Sequence, residues 1–381
     1  MKKPIYLDYN ATTPHDPEVI EAMRPYLEEH FGNPSSSHYF GLKTKQAIDF
    51  ARAKVASLLD CKPEEVFFTS GGTESNNHAI RGVAAAYSNK GNHIITTQIE
   101  HPAVTEVCKY LERYGFVTTY LPVDEYGLVS ISDFERAITP KTILVTIMHA
   151  NNEVGTIQPI EEISRIAHRQ GIVVHTDAAQ STGKLSVDVD YLGVDLLSIA
   201  GHKLYAPKGV GVLYIRKGIE IAKFMHGAGQ ELGMRAGTEN VLEIVGLGKA
   251  CEIADRDLER NVRGMQGSRD RLYNGLKQKL QDVMRLNGHP DLRLPNTLNV
   301  SILGIKAHEF LSAIEDRVAA SAGAACHSGE IKISSVLRAM NVPEEWARGA
   351  LRFTTGRMTT PGEADTAVAV ISNEVQKMKG L

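Results

Sequence analysis

The sequence predicts an α/β fold: a mainly parallel seven-stranded sheet, followed by a smaller α+β domain. Three observations predict it. Seven short apolar runs precede residue 216, as expected of strands buried on both faces. Between most of them lie stretches with helical periodicity, and strand–helix alternation is how parallel strands are joined. After about residue 256 the alternation stops, and a long charged helical stretch with only two strand-like runs replaces it.

The seven runs are 66–69, 93–97, 117–121, 143–147, 172–175, 196–199 and 211–215. Helical patterns at 105–113 and 160–168 serve as connections. In sheets of this kind ligands bind beyond the carboxyl ends of the strands. Gly71, His101, Asn151, Asp177 and His202 all fall just past such ends. In the second half, a helix is expected over 256–282, strands over 296–302 and 350–354, and a final helix over 363–379. The expected organisation is therefore a large domain over 16–255 and a small one over 256–381. Residues 1–15 form a segment packing with the small domain near the active site. No internal repeat, low-complexity tract or long linker is present.

Bulk numbers exclude several classes. The 381 residues suggest two domains. An apolar share of 43% and a charged share of 23% are those of an ordinary globular protein. A net charge of −3 offers no broad nucleic-acid footprint, so no direct nucleic-acid contact is expected. The first residues lack the apolar core of a secretory signal, and no apolar run approaches the roughly 20 residues of a membrane span. A cytoplasmic protein without membrane contact is expected. Cys61, Cys108, Cys251 and Cys326 are scattered, with no CxxC and no Cys/His cluster, so neither a zinc site nor a disulfide framework is expected.

The chemistry rests on a few residues. Lys203 follows the apolar run 196–199 and precedes the turn Pro207, Lys208, Gly209. Asp177 ends another apolar run. Pyridoxal phosphate (PLP) needs this pair: a lysine to form the Schiff base, and a carboxylate to keep the pyridine nitrogen protonated so that the ring draws electrons. The stretch Thr69, Ser70, Gly71, Gly72, Thr73 follows a strand and opens a helix. Glycines admit an anion close to the backbone, and the free N–H groups of a helix start bind it. It lacks the lysine of a P-loop, and by itself a plain turn would also explain it. His101 suits stacking on a flat heteroaromatic ring, or a satisfied loop position. Gln180, one turn after Asp177, suits the ring hydroxyl oxygen, and His202 the phosphate. Cys326 sits among Gly, Ala and Ser, which suit a mobile loop, and His327 and Lys332 lie close in sequence. A lysine Schiff base together with a loop thiol points to sulfur chemistry on an amino acid.

With these residues in place, the chain resembles the NifS/IscS group of cysteine desulfurases, fold type I PLP enzymes of aminotransferase class V. Matching stretches include 6–14, 31–37, 69–77, 100–104, 151–156, 175–180, 201–203, 207–209, 235–240, 321–328 and 351–354. They occur in family order and span essentially the whole chain. The resemblance implies that Lys203 carries PLP and moves the proton at the substrate Cα, and that His101 stacks on the ring. Asp177 pairs with the pyridine nitrogen and Gln180 with the ring oxygen. Gly72, Thr73 and His202 hold the phosphate. Thr238 reaches the phosphate of a second subunit, which implies a homodimer. Asn152 and Arg352 bind the substrate carboxylate, and Cys326 accepts the sulfur of L-cysteine as a persulfide, leaving L-alanine. Delivery to an acceptor or scaffold protein follows. No metal is expected in the chain itself, although the resemblance allows Cys326 to help hold an iron–sulfur cluster with a scaffold partner.

One departure stands out. The family pattern Ser-x-His-Lys carries Ala200 at its first position here, which removes one phosphate hydrogen bond. The alternatives are a selenocysteine lyase or another PLP-dependent C–S lyase, or a scaffold that has lost turnover. The sulfur's destination is open between iron–sulfur clusters, tRNA thiolation, DNA phosphorothioation and other uses.

Overall fold

The computed structural model describes residues 3–322 and 333–380. A short strand β1 (Ile5–Tyr6) opens the chain. Seven strands follow in one sheet: β2 (Val66–Thr69), β3 (His93–Thr97), β4 (Val117–Leu121), β5 (Thr142–Thr146), β6 (Val173–Asp177), β7 (Leu196–Ala200) and β8 (Gly211–Ile215). Their order is β2-β8-β7-β6-β5-β3-β4. All run parallel except β8, which is antiparallel to both neighbours. The link from Ala200 to Gly211 is too short for a crossover helix, so the chain must turn straight back.

The apolar runs predicted from sequence become these strands, each within two residues of the expected start and end. Both sheet faces are apolar, because successive side chains alternate between them. Ile95, Val145, Val174, Leu197 and Val212 join one cluster with helices Tyr39–Leu59 and Ile160–Arg169. Their immediate neighbours Ile94, Leu144, Val173, Leu196 and Leu213 join another with helices Gly72–Ala86 and Pro102–Glu112. Burying both faces leaves only the strand ends for chemistry.

A second sheet is built from β9 (Met284–Asn287), β10 (Thr297–Ile302), β12 (Ser321–Ala322) and β13 (Ala350–Thr354), while β11 (Val318–Ala319) lies just before β12 and pairs in parallel with β1. The four strands are antiparallel, in the order β12-β13-β10-β9. Leu298, Val300, Leu351 and Phe353 bury one face against Leu272, Leu276, Ile371 and Val375. Between the apolar pair Leu351 and Phe353, Arg352 necessarily points to the other face. Strand β9 was not expected; Met284, Arg285, Leu286 and Asn287 carry too few apolar residues to mark it.

One helix, Val241–Leu280, touches both cores. Sequence reading starts it at 256, where the charges begin. The earlier stretch is rich in small residues, and that has a packing reason. A Cβ on Gly248 would stand 2.6 Å from Ala51, and one on Gly246 would stand 2.7 Å from the Met23 sulfur. Gly248 lets this helix press against Tyr39–Leu59, and Gly246 lets it press against Pro17–Glu28. The boundary expected between 255 and 256 falls inside it. Among the described residues no helix is long and apolar enough to cross a membrane.

Candidate active site

The carboxyl ends of β5, β6 and β7 meet the polar face of the second sheet around a cavity of about 270 Å³. Its lining includes Gly72, Thr73, His101, Asn152, Asp177, Gln180, His202, Lys203 and Arg352. Every site residue expected in this chain's own cavity from sequence is therefore there, apart from Cys326. Cys326 lies outside the described residues, as do His327 and Lys332. Thr238 does not line the cavity; it sits exposed just before the long helix, in keeping with an assignment to a second subunit's site.

Lys203 ends the turn Gly201–Lys203 directly after β7. Gly201 is required there, since a Cβ would come within 2.9 Å of the Val210 carbonyl oxygen. Lys203 Nζ donates to the carbonyls of Asn10 at 2.5 Å and Ala11 at 2.6 Å. Burial first, then the nearby Arg352 cation, lower its pKa to about 8, against the pull of Asp8 and Asp177. Such an amine is a far better base and nucleophile near neutrality than an ordinary lysine.

Asp177 is the last residue of β6 and is nearly buried. Oδ2 accepts from Asn76 Nδ2 at 2.7 Å, and Oδ1 from the Ala179 amide at 2.9 Å. Both partners donate, which fixes the orientation of the carboxylate. Asn76 was not singled out from sequence, although it lies one turn beyond Thr73 on the helix Gly72–Ala86. That helix begins after Gly71, at φ +146, with no side chain capping it. Its first amides are thus left for an anion. Ala200 lies against Gly72: a Cβ added there would stand 3.2 Å from the Ala200 Cβ. The alanine methyl therefore touches the start of the anion cradle that the family's serine would extend.

His101 caps the helix Pro102–Glu112, its Nδ1 accepting from the Ala103 amide at 3.1 Å. Accepting at Nδ1 places the ring proton on Nε2. Burial, and after it the Lys203 charge, push the pKa of this imidazole down, with Asp177 opposing. His101 is thus a neutral ring on the cavity wall. His202 Nδ1 lies 3.3 Å from Thr12 Oγ1, and burial lowers its pKa to about 4.

Arg352 Nη2 donates to Asp8 Oδ1 at 2.8 Å, and Nη1 donates to the Asn152 carbonyl at 3.0 Å. Among the described residues its buried Nε has no partner. A planar fork with donors unspent suits a carboxylate. Arg352→Lys would keep the charge and lose the fork. Its KM for the amino-acid substrate is expected to rise roughly 10- to 100-fold, the worth of one or two charge-assisted hydrogen bonds, with kcat changing less. An unaltered KM would remove Arg352 from substrate binding.

Glu100 holds the loop beneath His101. Its carboxyl accepts from the Met148 amide at 3.0 Å and from the Thr97 hydroxyl at 2.7 Å. Burial without a cation raises its pKa to about 8. A carboxyl pKa raised by folding costs stability as pH climbs from about 4.5 through 8. Glu100→Gln should therefore melt a few degrees above the parent at pH 9 and level with it at pH 4, roughly the shift of 1–2 kcal/mol. A parent that gains on the variant as pH rises would reverse the assignment.

These residues fit PLP. A buried lysine amine of lowered basicity, a carboxylate held by donors and an uncapped helix start face one cavity. That set matches an aldehyde, a ring nitrogen and a phosphate. The chain belongs to the aminotransferase class-V family, which matches residues 5–365, and enzymes of this family work with PLP. Cysteine desulfurase IscS of Dictyoglomus turgidum is 49% identical over 380 residues, covering all of this chain and 96% of that one. A NifS-like protein of known structure superposes with a TM-score of 0.92 at 38% identity, over 98% of this chain and all of that one. SspA, solved in complex with cysteine, superposes with a TM-score of 0.82 at 38% identity, over 94% of this chain and all of that one.

Proposed function

We propose that the protein is a cysteine desulfurase: it takes the sulfur from L-cysteine, leaves L-alanine, and carries the sulfur on Cys326 as a persulfide. The observation that supports this most is that Lys203 and Arg352 line one cavity. An amine suited to work at Cα shares it with a guanidinium suited to hold a carboxylate. Full-length relatives carrying the desulfurase name support the same reading.

Bound PLP supplies the sink for the electrons left when the substrate loses its Cα proton. Lys203 binds the cofactor at rest, and its freed amine takes that proton and returns it. Asp177, fixed by Asn76, keeps the ring nitrogen protonated. Gln180 would donate to the ring oxygen, and the His101 ring would stack on the cofactor. Gly72, Thr73 and His202 hold the phosphate, with Thr238 of the second subunit completing it in a homodimer. Arg352 and Asn152 hold the substrate's carboxylate, and its sulfur reacts with Cys326. There the thiolate attacks: the new S–S bond forms as the substrate's C–S bond breaks, and the remaining carbon skeleton takes up protons to become alanine. Access and thiolate fraction govern such attacks on sulfur. The cytoplasm, where thiols stay reduced, suits this chemistry. The persulfide then passes to an acceptor or scaffold protein.

Brief exposure of the purified holoenzyme to L-cysteine, followed by mass spectrometry and an alanine assay, tests the proposal. Alanine together with one added sulfur on the Cys326 peptide is expected. Alanine without that sulfur would indicate a lyase that releases sulfide directly.

A further inference from the structure

Lys184 is 4% exposed, yet it has no acidic partner within ion-pair distance among the described residues. Burial first, then the like charges of Lys203 and Arg352, lower its pKa to about 7. A buried cation facing only cations is costly, and the mechanism above gives it no task. Its contacts show one. Nζ donates to Gln180 Oε1 at 3.1 Å and to Asn10 Oδ1 at 3.3 Å. The other end of the Gln180 amide, Nε2, donates to the Asn10 carbonyl at 3.0 Å, the same carbonyl that receives Lys203.

The two ends of a glutamine amide are nearly the same size, so shape alone does not choose between them. Hydrogen bonding does. Below its pKa of about 7 Lys184 is an ammonium, which donates three times and accepts nothing, and in that form it accepts no orientation of Gln180 but oxygen-inward. The amide nitrogen is thereby turned to the side of Asn10 and Lys203. Asn10 is fixed in the same way. Its Oδ1 also accepts from Asn296 Nδ2 at 2.9 Å, so its Nδ2 is left to donate to Thr297 Oγ1 at 2.9 Å and the Asn152 carbonyl at 3.2 Å.

We propose that Lys184 is a positioning residue that locks the Gln180 amide, so that an N–H group rather than a carbonyl oxygen is offered to the ring oxygen of the cofactor. This rests on the reading of Gln180 as the partner of that oxygen. An unlocked amide would present oxygen to an oxygen anion for part of the time, weakening cofactor binding and altering its electronic state.

The test is a double-mutant cycle on PLP affinity and on the visible absorption of the holoenzyme, using Lys184→Met, Gln180→Ala and both together. Lys184→Met is expected to weaken PLP about tenfold and to shift the absorption band. The apo-protein should melt no lower than the parent, since an apolar side chain replaces an unpaired buried cation. In the Gln180→Ala background the same change should have no further effect. Unchanged affinity and absorption in Lys184→Met, with both changed in Gln180→Ala, would overturn the proposal. So would additive losses, which would mean that Lys184 acts by its charge and not through the amide. No effect of Gln180→Ala on either readout would instead remove the reading of Gln180, and the proposal with it. If the methionine variant fails to fold, Lys184→Gln, which keeps N–H donors at that end, decides by the same comparison: a loss that persists without Gln180 overturns it.

Discussion

Lys203→Ala is expected to lose at least about 10⁴-fold in alanine formation, since it removes both the covalent anchor and the proton carrier at Cα. The structure gives reasons to expect so large an effect from one side chain. Among the described residues no other lysine lines the cavity. Lys184, the nearest buried lysine, is tied to Gln180 Oε1 and Asn10 Oδ1 and does not line the main cavity. Lys203, in contrast, lines it and is held by two backbone carbonyls. Those carbonyls belong to the segment after β1, so the active amine is aimed by residues from the far end of the chain. PLP should still enter the variant, because Asp177 and the uncapped helix start remain, but without its covalent link. The check is a pair of measurements: turnover of L-cysteine, and the visible absorption of the loaded variant. A small added amine, such as methylamine, should restore part of the proton transfer. Parental turnover in Lys203→Ala would refute the role.

Much of the site was legible because its residues sit at places that local rules mark. Asp177 and Lys203 follow apolar runs, and in a parallel sheet those runs end on one side. Arg352 stands between Leu351 and Phe353, so strand periodicity alone separates it from the core. What sequence did not reveal are partnerships between distant segments. Asp8 meets Arg352 across 344 positions, and Asn10 meets Lys184 across 174. No local pattern around Tyr6, Leu7 and Asp8 announces an arginine on a late strand. The stretch was noticed for its family resemblance, without a role for any of its residues. Lys184 was passed over for a different reason. It lies in a polar turn with Gly183 at φ +73, where a lysine is ordinarily solvated. Asn10 of the N-terminal segment reaches its amine, and Ala254 and Met265 of the long helix line the small cavity beside that turn. The early start of the long helix was hidden likewise, because Gly246 and Gly248 read as weak helix formers while close packing requires them.

Cys326→Ala should keep PLP and bind L-cysteine, yet form alanine at least about 10³-fold more slowly and gain no sulfur. The remaining thiols explain why nothing should replace it. Cys108 and Cys251 are fully buried, and Cys61 is partly so. Burial pushes the Cys61 and Cys108 thiols up to about 12 and the Cys251 thiol still further in the same direction. At neutral pH such groups hold almost no thiolate, and only thiolate attacks sulfur. The described residues on either side of 323–332 also favour Cys326. On one side, Ser321 Oγ donates to Asp8 Oδ2 at 2.8 Å, and Asp8 is the partner of Arg352. On the other, Ser334 Oγ donates to Glu153 Oε2 at 2.5 Å, beside Asn152. Both flanks are thus fastened next to the residues assigned to the substrate carboxylate. Selenocysteine separates this reading from its rival. A lyase that needs no thiol would process selenocysteine and cysteine in Cys326→Ala with the parent's preference. A desulfurase should lose cysteine turnover far more than selenocysteine turnover, because selenium leaves without a thiol's attack. Sulfide released from L-cysteine by Cys326→Ala at the parent's rate would end the case for a persulfide carrier.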